Sequence, residues 1–197
     1  MKTRLSAKED QTLWLSQLPN KPKPLFIEIW KNASRFTEFL CQSIDMKDPP
    51  TFTVIRDPYT RFWSACKEIF SNPAKDGTPR GETNPIRLIE YGLIELQRPD
   101  LDFHFQTQTW FKNLYPWELD HVFLFESLNQ NLKQKCDEFN VIWKDAFDWE
   151  KALNMNINPS DHTNDETAIE FLKDLPEIKY YYEEDFEWYN SVINNNL

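Results

Sequence analysis

Apolar residues fall along this chain in two alternating rhythms. Residues 25–30, 51–55 and 121–125 are short runs rich in β-branched and aromatic side chains, bounded by polar turns, and they predict buried strands. Between and after them the apolar positions recur every three to four residues, as helices require. Phe36, Phe39, Leu40 and Ile44 mark a helix over 34–44. Asp57 followed by Pro58 opens a second, running to about residue 70, with Asp as N-cap and Pro at the first helical position. Further helical periodicity covers 85–97, 106–114, 128–140, 165–174 and 176–192. Residues 73–84 are turn formers and charge without periodicity, and 141–163 shows no consistent pattern. Strands alternating with helices predict an α/β domain with a three-layer α/β/α build. Its central sheet is short, mainly parallel and helix-covered on both faces.

The length of 197 residues, 40% of them hydrophobic and 15% aromatic, suits one domain with a substantial core, here spanning about 25–190. A formal charge of −10 opposes non-specific attraction to nucleic acid or anionic membrane, so any anionic ligand needs a local basic pocket. Residues 165–197 hold nine acidic residues and two lysines, an acidic face that leaves most basic side chains upstream. No apolar run reaches the length of a membrane span, and the N-terminal residues lack a signal-peptide pattern. A soluble cytoplasmic protein is the expectation. Cys41, Cys66 and Cys136 are widely spaced without a CxxC pair and read as buried thiols rather than metal ligands. Three glycines, Gly77, Gly81 and Gly92, exclude a glycine-rich Walker or Rossmann phosphate loop.

Ligands of open α/β sheets collect at the carboxyl ends of the strands, where helix N-termini present unpaired N–H groups. Two loops here occupy that position. After the first strand, Lys31, Asn32, Ala33, Ser34 and Arg35 offer a cation, small residues that allow close backbone approach, and side-chain donors at a helix start. After the second strand, Arg56 offers a planar fork to an anion, and Ser64 lies nearly two turns into the following helix. The same residues also fit a purely structural role, with Arg56 paired to Asp57 or Asp45 and Ser64 as a small packing residue.

The segment from Phe52 to Lys67, FTVIRDPYTRFWSACK, resembles the 3′-phosphate-binding segment of sulfotransferases that use 3′-phosphoadenosine-5′-phosphosulfate (PAPS), the carbohydrate sulfotransferases in particular. Lys31, Ala33 and Ser34 fill the lysine, small-residue and hydroxyl places of that family's 5′-phosphosulfate loop, with Trp30 where proline is usual and Arg35 where a second hydroxyl is usual. Asp102, His104 and Gln108 resemble its Asp-x-His-x-x-Pro-Gln stretch, with Thr107 in the proline place. The strand ending Phe125-Glu126 and the tyrosine-rich tail from Tyr180 to Tyr189 are similar to later family features.

The resemblance implies a P-loop nucleotide-kinase/sulfotransferase-like fold and transfer of a sulfuryl group from PAPS to an acceptor hydroxyl, without a metal. It places Lys31, Asn32, Ala33, Ser34 and Arg35 at the 5′ end of the donor, and Arg56 and Ser64 at the 3′-phosphate. Lys31 then stabilises the transferring group, and His104, or failing it Glu126, is the general base; Glu28 and His162 rank lower. The acceptor expected is a carbohydrate or small metabolite. A non-catalytic binder of adenosine 3′,5′-bisphosphate is the main alternative. A P-loop kinase lacks its Gly-Lys-Ser/Thr loop here.

Overall fold

The computed structural model describes residues 23–29, 32–71, 81–154 and 165–196. Three short strands, β1 (Phe26–Ile27), β2 (Phe52–Ile55) and β3 (His121–Leu124), form a parallel sheet in the order β1-β2-β3. Phe26 pairs with Phe52, and Phe52 to Ile55 pair in register with His121 to Leu124. All three strands therefore end at one edge. The helices are α1 (Ser34–Ser43), α2 (Pro58–Cys66), α3 (Pro85–Leu96), α4 (Gln108–Leu114), α5 (Leu128–Glu138), α6 (Trp149–Asn154), α7 (Asp165–Lys173), α8 (Pro176–Tyr181) and α9 (Glu183–Asn196).

The period of two along the strands sorts side chains to opposite faces. Phe52, Val54 and Phe123 join Phe36 and Leu40 of α1 and Leu128, Leu132 and Cys136 of α5 in one core cluster. Ile55, Val122 and Leu124 join Phe111 of α4 and Trp188, Tyr189 and Val192 of α9 in another. Both faces of the sheet are thus covered, and the chain is a helix-rich, mixed α/β protein. A third cluster joins α2, α3, α7 and α8 beside the sheet through Phe62, Cys66, Leu88, Ile89, Leu172 and Ile178. Cys66 and Cys136 are buried free thiols and Cys41 is a partly buried one, with burial pushing Cys41 up to about 11 and Cys136 up to about 12.

Each expected strand is present, and local chemistry accounts for the helix ends that differ. Asp57 caps α2 by accepting from the Thr60 N–H at 2.9 Å, with Pro58 at its first position. The helical pattern to residue 70 continues past Cys66 as a π-turn, Lys67–Ser71, whose end is pinned where Phe70 O accepts from Gly81 N and Glu82 N. α4 starts at Gln108 because the Thr107 hydroxyl accepts from Trp110 N at 3.1 Å. The single helix expected over 176–192 is broken at Tyr182, a buried residue whose hydroxyl donates to Phe105 O at 2.7 Å. The patternless stretch after residue 140 contains α6 and an antiparallel bridge between Ile44 and Trp143.

Candidate functional site

Parallel strands bring the loops after β1, β2 and β3 side by side, so Asn32, Arg56 and Glu126 share one edge of the sheet. Arg56 leaves β2 at that edge. Its Nε donates to Thr60 Oγ1 at 3.0 Å, and its guanidinium lies 4.5 Å from the centre of the Phe125 ring. Thr60 Oγ1 in turn donates to Asp57 O at 2.9 Å, fixing the hydroxyl as an acceptor for Arg56. An open depression of about 560 Å³ lies in front, lined by Arg56, Thr60, Phe125, Glu126, Ser127, Asn129 and Gln130.

Burial lowers the pKa of Arg56, while the carboxylates of Glu126, Asp165 and Asp57 pull the other way. An arginine keeps its charge under such opposing influences. Among the described residues no carboxylate forms an ion pair with Arg56, so its partnership with Asp57 or Asp45 does not occur. Ser64 is half-buried one helical turn beyond Thr60, outside the lining of the depression.

The first loop is held from below. Asn32, 1% exposed, donates from Nδ2 to Val54 O at 2.9 Å and to Gln108 Oε1, while its own Oδ1 has no hydrogen-bond partner among the described residues. Ala33 follows in the left-handed conformation, φ 61°, as the N-cap of α1, and Phe36 N and Thr37 N both donate to its carbonyl. The Lys31 assignment lies outside the described residues, as does that of His162. The same holds for the side chains of Ser34 and Arg35.

Three residues that pattern reading left without a role tie the edge together. Gln108, fully buried, accepts from Arg56 N and donates to Arg56 O, both at 2.9 Å, besides accepting from Asn32. Asp185 of α9, also fully buried, accepts from Gln108 N at 2.7 Å, Thr109 N at 2.9 Å and Thr109 Oγ1 at 3.1 Å. Arg61, the second arginine of the Arg-Asp-Pro segment, does not reach the depression. It is 0% exposed, facing Tyr182, Tyr181 and Asp185 on one side and the Phe111 ring on another. A buried charge needs such a setting. No periodicity marks these residues; the only available signal was their place within the segments that carry the resemblance.

The two candidate bases differ in setting. His104 N donates to Asp102 Oδ1 at 2.8 Å, and the same oxygen meets His104 Nδ1 at hydrogen-bond distance. A carboxylate there holds the proton on Nδ1 and makes Nε2 the basic nitrogen of the neutral ring. The neighbouring Phe103 shares a core cluster with Ile29 and Ile55, just past β1 and at the end of β2. Glu126 accepts from Asp57 N at 3.1 Å and lies exposed in the lining of the depression; burial, and after it the nearby Glu126 carboxylate, push the Tyr189 pKa up. Glu28, half-buried next to β1, raises the pKa of Tyr115, a smaller influence there than burial.

Among the described residues no group of His, Cys, Asp and Glu side chains could hold a metal ion, and no helix is long and apolar enough to cross a membrane. Comparison of the chain with protein-family models, with curated proteins and with solved structures gives no match in any of the three.

Proposed function

We propose that the chain is a PAPS-dependent sulfotransferase of P-loop-like fold, with its donor lying along the carboxyl edge of the sheet. The observation that carries this reading is Arg56. It is a half-buried arginine that forms no ion pair among the described residues, facing an open depression. A partly desolvated cation without a carboxylate partner suits an anion supplied from outside. Its place in Arg-Asp-Pro-Tyr-Thr-Arg favours a 3′-phosphate as that anion, and Asn32 and Ala33 stand where the 5′-phosphosulfate would begin.

In this reading an acceptor hydroxyl attacks the sulfur in line. The new O–S bond forms as the bond from sulfur to the 5′-phosphate oxygen breaks, and adenosine 3′,5′-bisphosphate leaves. His104 Nε2, with Asp102 behind Nδ1, takes the hydroxyl proton. Lys31 is assigned by resemblance to the charge developing on the transferring group and the leaving oxygen. Arg56 and Thr60 supply binding energy remote from the sulfur. The acceptor is a carbohydrate or small metabolite.

Calorimetric titration with adenosine 3′,5′-bisphosphate, with AMP and ATP as controls, tests this. Affinity that needs the 3′-phosphate is expected, and Arg56→Ala should weaken it by about 1.5–3 kcal/mol as a charge-assisted bond is lost. Unchanged affinity in folded Arg56→Ala protein refutes the assignment. Trp30 in the usual proline place and Arg35 in the usual second-hydroxyl place of the loop after β1 favour one alternative, a non-catalytic bisphosphate binder. Binding without transfer to any of a panel of hydroxyl acceptors would select it.

A further inference from the structure

We infer that Gln108 is a positioning residue for two-point anion binding: it fixes the separation between the loop after β1 and the loop after β2. Both ends of its amide are engaged. Oε1 takes the N–H of Arg56 and the amide of Asn32 together, while Nε2 returns a bond to Arg56 O. Only a side chain with an acceptor and a donor on one planar head can do this, which among neutral side chains of this length means glutamine. A carboxylate would lose the donor and set a negative charge against the Arg56 carbonyl, beneath a site that favours anions.

The amide is itself anchored. Asp185 accepts from the first two N–H groups of α4, so the helix carrying Gln108 is fixed to α9. Tyr182, Asp185 and Tyr189 are spaced three and four residues apart. The first two bond Phe105 O and the start of α4, and the third lies near the Glu126 carboxylate, so one face of this segment runs along the carboxyl edge. Asn32, Gln108 and Asp185 are each at most 1% exposed, which leaves water little access to replace these bonds.

A bracket of this kind serves a ligand that touches both loops. Two anionic groups on one molecule gain from a spacing set before binding, whereas a single phosphate needs only one loop. This inference rests on the reading above, in which the ligand carries a 5′- and a 3′-phosphate.

The test compares the full chain with Gln108→Leu and with the milder Asn32→Ala, which opens only the β1 side of the bracket. Circular dichroism and thermal unfolding check that each is folded. Affinities for adenosine 3′,5′-bisphosphate, 3′-AMP and 5′-AMP are then measured by calorimetry. In both variants the advantage of the bisphosphate over either monophosphate should fall about tenfold, as a lost hydrogen bond or two implies. The 3′-AMP affinity should move by less than about threefold in both variants, and the 5′-AMP affinity likewise in Gln108→Leu. An unchanged bisphosphate advantage, or an equal loss for all three ligands, overturns the positioning role. Absence of bisphosphate binding by the parent chain refutes the donor-site reading instead, and this inference with it.

Discussion

Replacing Gly92 with alanine tests how the wall behind the site is built. A β-carbon at this position in α3 would lie 2.5 Å from Cys66 Sγ and 2.6 Å from Phe62 Cζ, with Phe62 Cε1 at 3.3 Å. Ordinary contacts are about 3.5–4.0 Å, so each of the two nearer atoms must retreat by about 1 Å. Neither has room, since Cys66 and Phe62 are both fully buried in α2. Forcing a methyl into such a place costs about 1–3 kcal/mol, and two simultaneous overlaps point to the upper half of that range. Against it stands the helix preference for alanine over glycine, about 0.8–1.0 kcal/mol. The net expectation is a loss of about 1–2 kcal/mol, or about 2–8 °C in Tm for a chain of this size. Urea unfolding should show a lower midpoint with an unchanged slope. Adding Cys66→Ala removes the nearer obstacle and should give a favourable coupling of about 1 kcal/mol in a double-mutant cycle. Because α2 also carries Thr60, bisphosphate affinity should fall with stability. Alanine raising the midpoint would refute the close approach of α2 and α3.

Other perturbations address the site directly. Thr60→Val keeps the shape but removes the acceptor for Arg56 Nε and should weaken bisphosphate binding about 3–10-fold by calorimetry; equal affinity would show that Arg56 is oriented without it. His104→Ala should leave that affinity intact and lower transfer about 10²–10⁴-fold, while full turnover would remove His104 as the base. Burial raises the Asp185 carboxyl above its ordinary 3.8, outweighing Arg61 and the N–H groups of Gln108 and Thr109. The folded chain therefore holds this proton more tightly than the unfolded chain. Its stabilising contribution is complete below about pH 4 and is lost as pH rises through the raised folded value. In denaturant titrations, the stability difference between parent and Asp185→Asn should shift against the parent over that rise, and a pH-independent difference would contradict the direction.

The strands and the start of α2 were legible in the sequence because their determinants are local. Phe52 to Ile55 form a short, mostly apolar, β-prone run, and Asp57-Pro58 is a cap that acts within three residues. The Arg56 loop was legible as a candidate anion site for the same reason. Its setting was not, because Gln108 meets Arg56 across 52 residues and Asp185 across 77, separations on which periodicity is silent. The break at Tyr182 was hidden likewise. Apolar spacing continues through it, and only the bond to Phe105 O, 77 residues away, marks the bend. Arg56 and Arg61 read alike as basic residues of one short segment, and burial alone separates them, one at the depression and one against Tyr182.

The burial of Arg61 also bears on the order of events during synthesis. Residues 56 to 64 emerge from the ribosome well over a hundred residues before Tyr182 and Asp185. Until those arrive, a charged guanidinium near the Phe111 ring has its side of the chain uncovered, and water must solvate it. The early α/β half can therefore collect its strands during translation but cannot close over its own arginine. The carboxyl edge is finished by a segment made long after its strands, so a stalled or nicked chain ending before residue 182 retains Arg56 in sequence while lacking the frame around it.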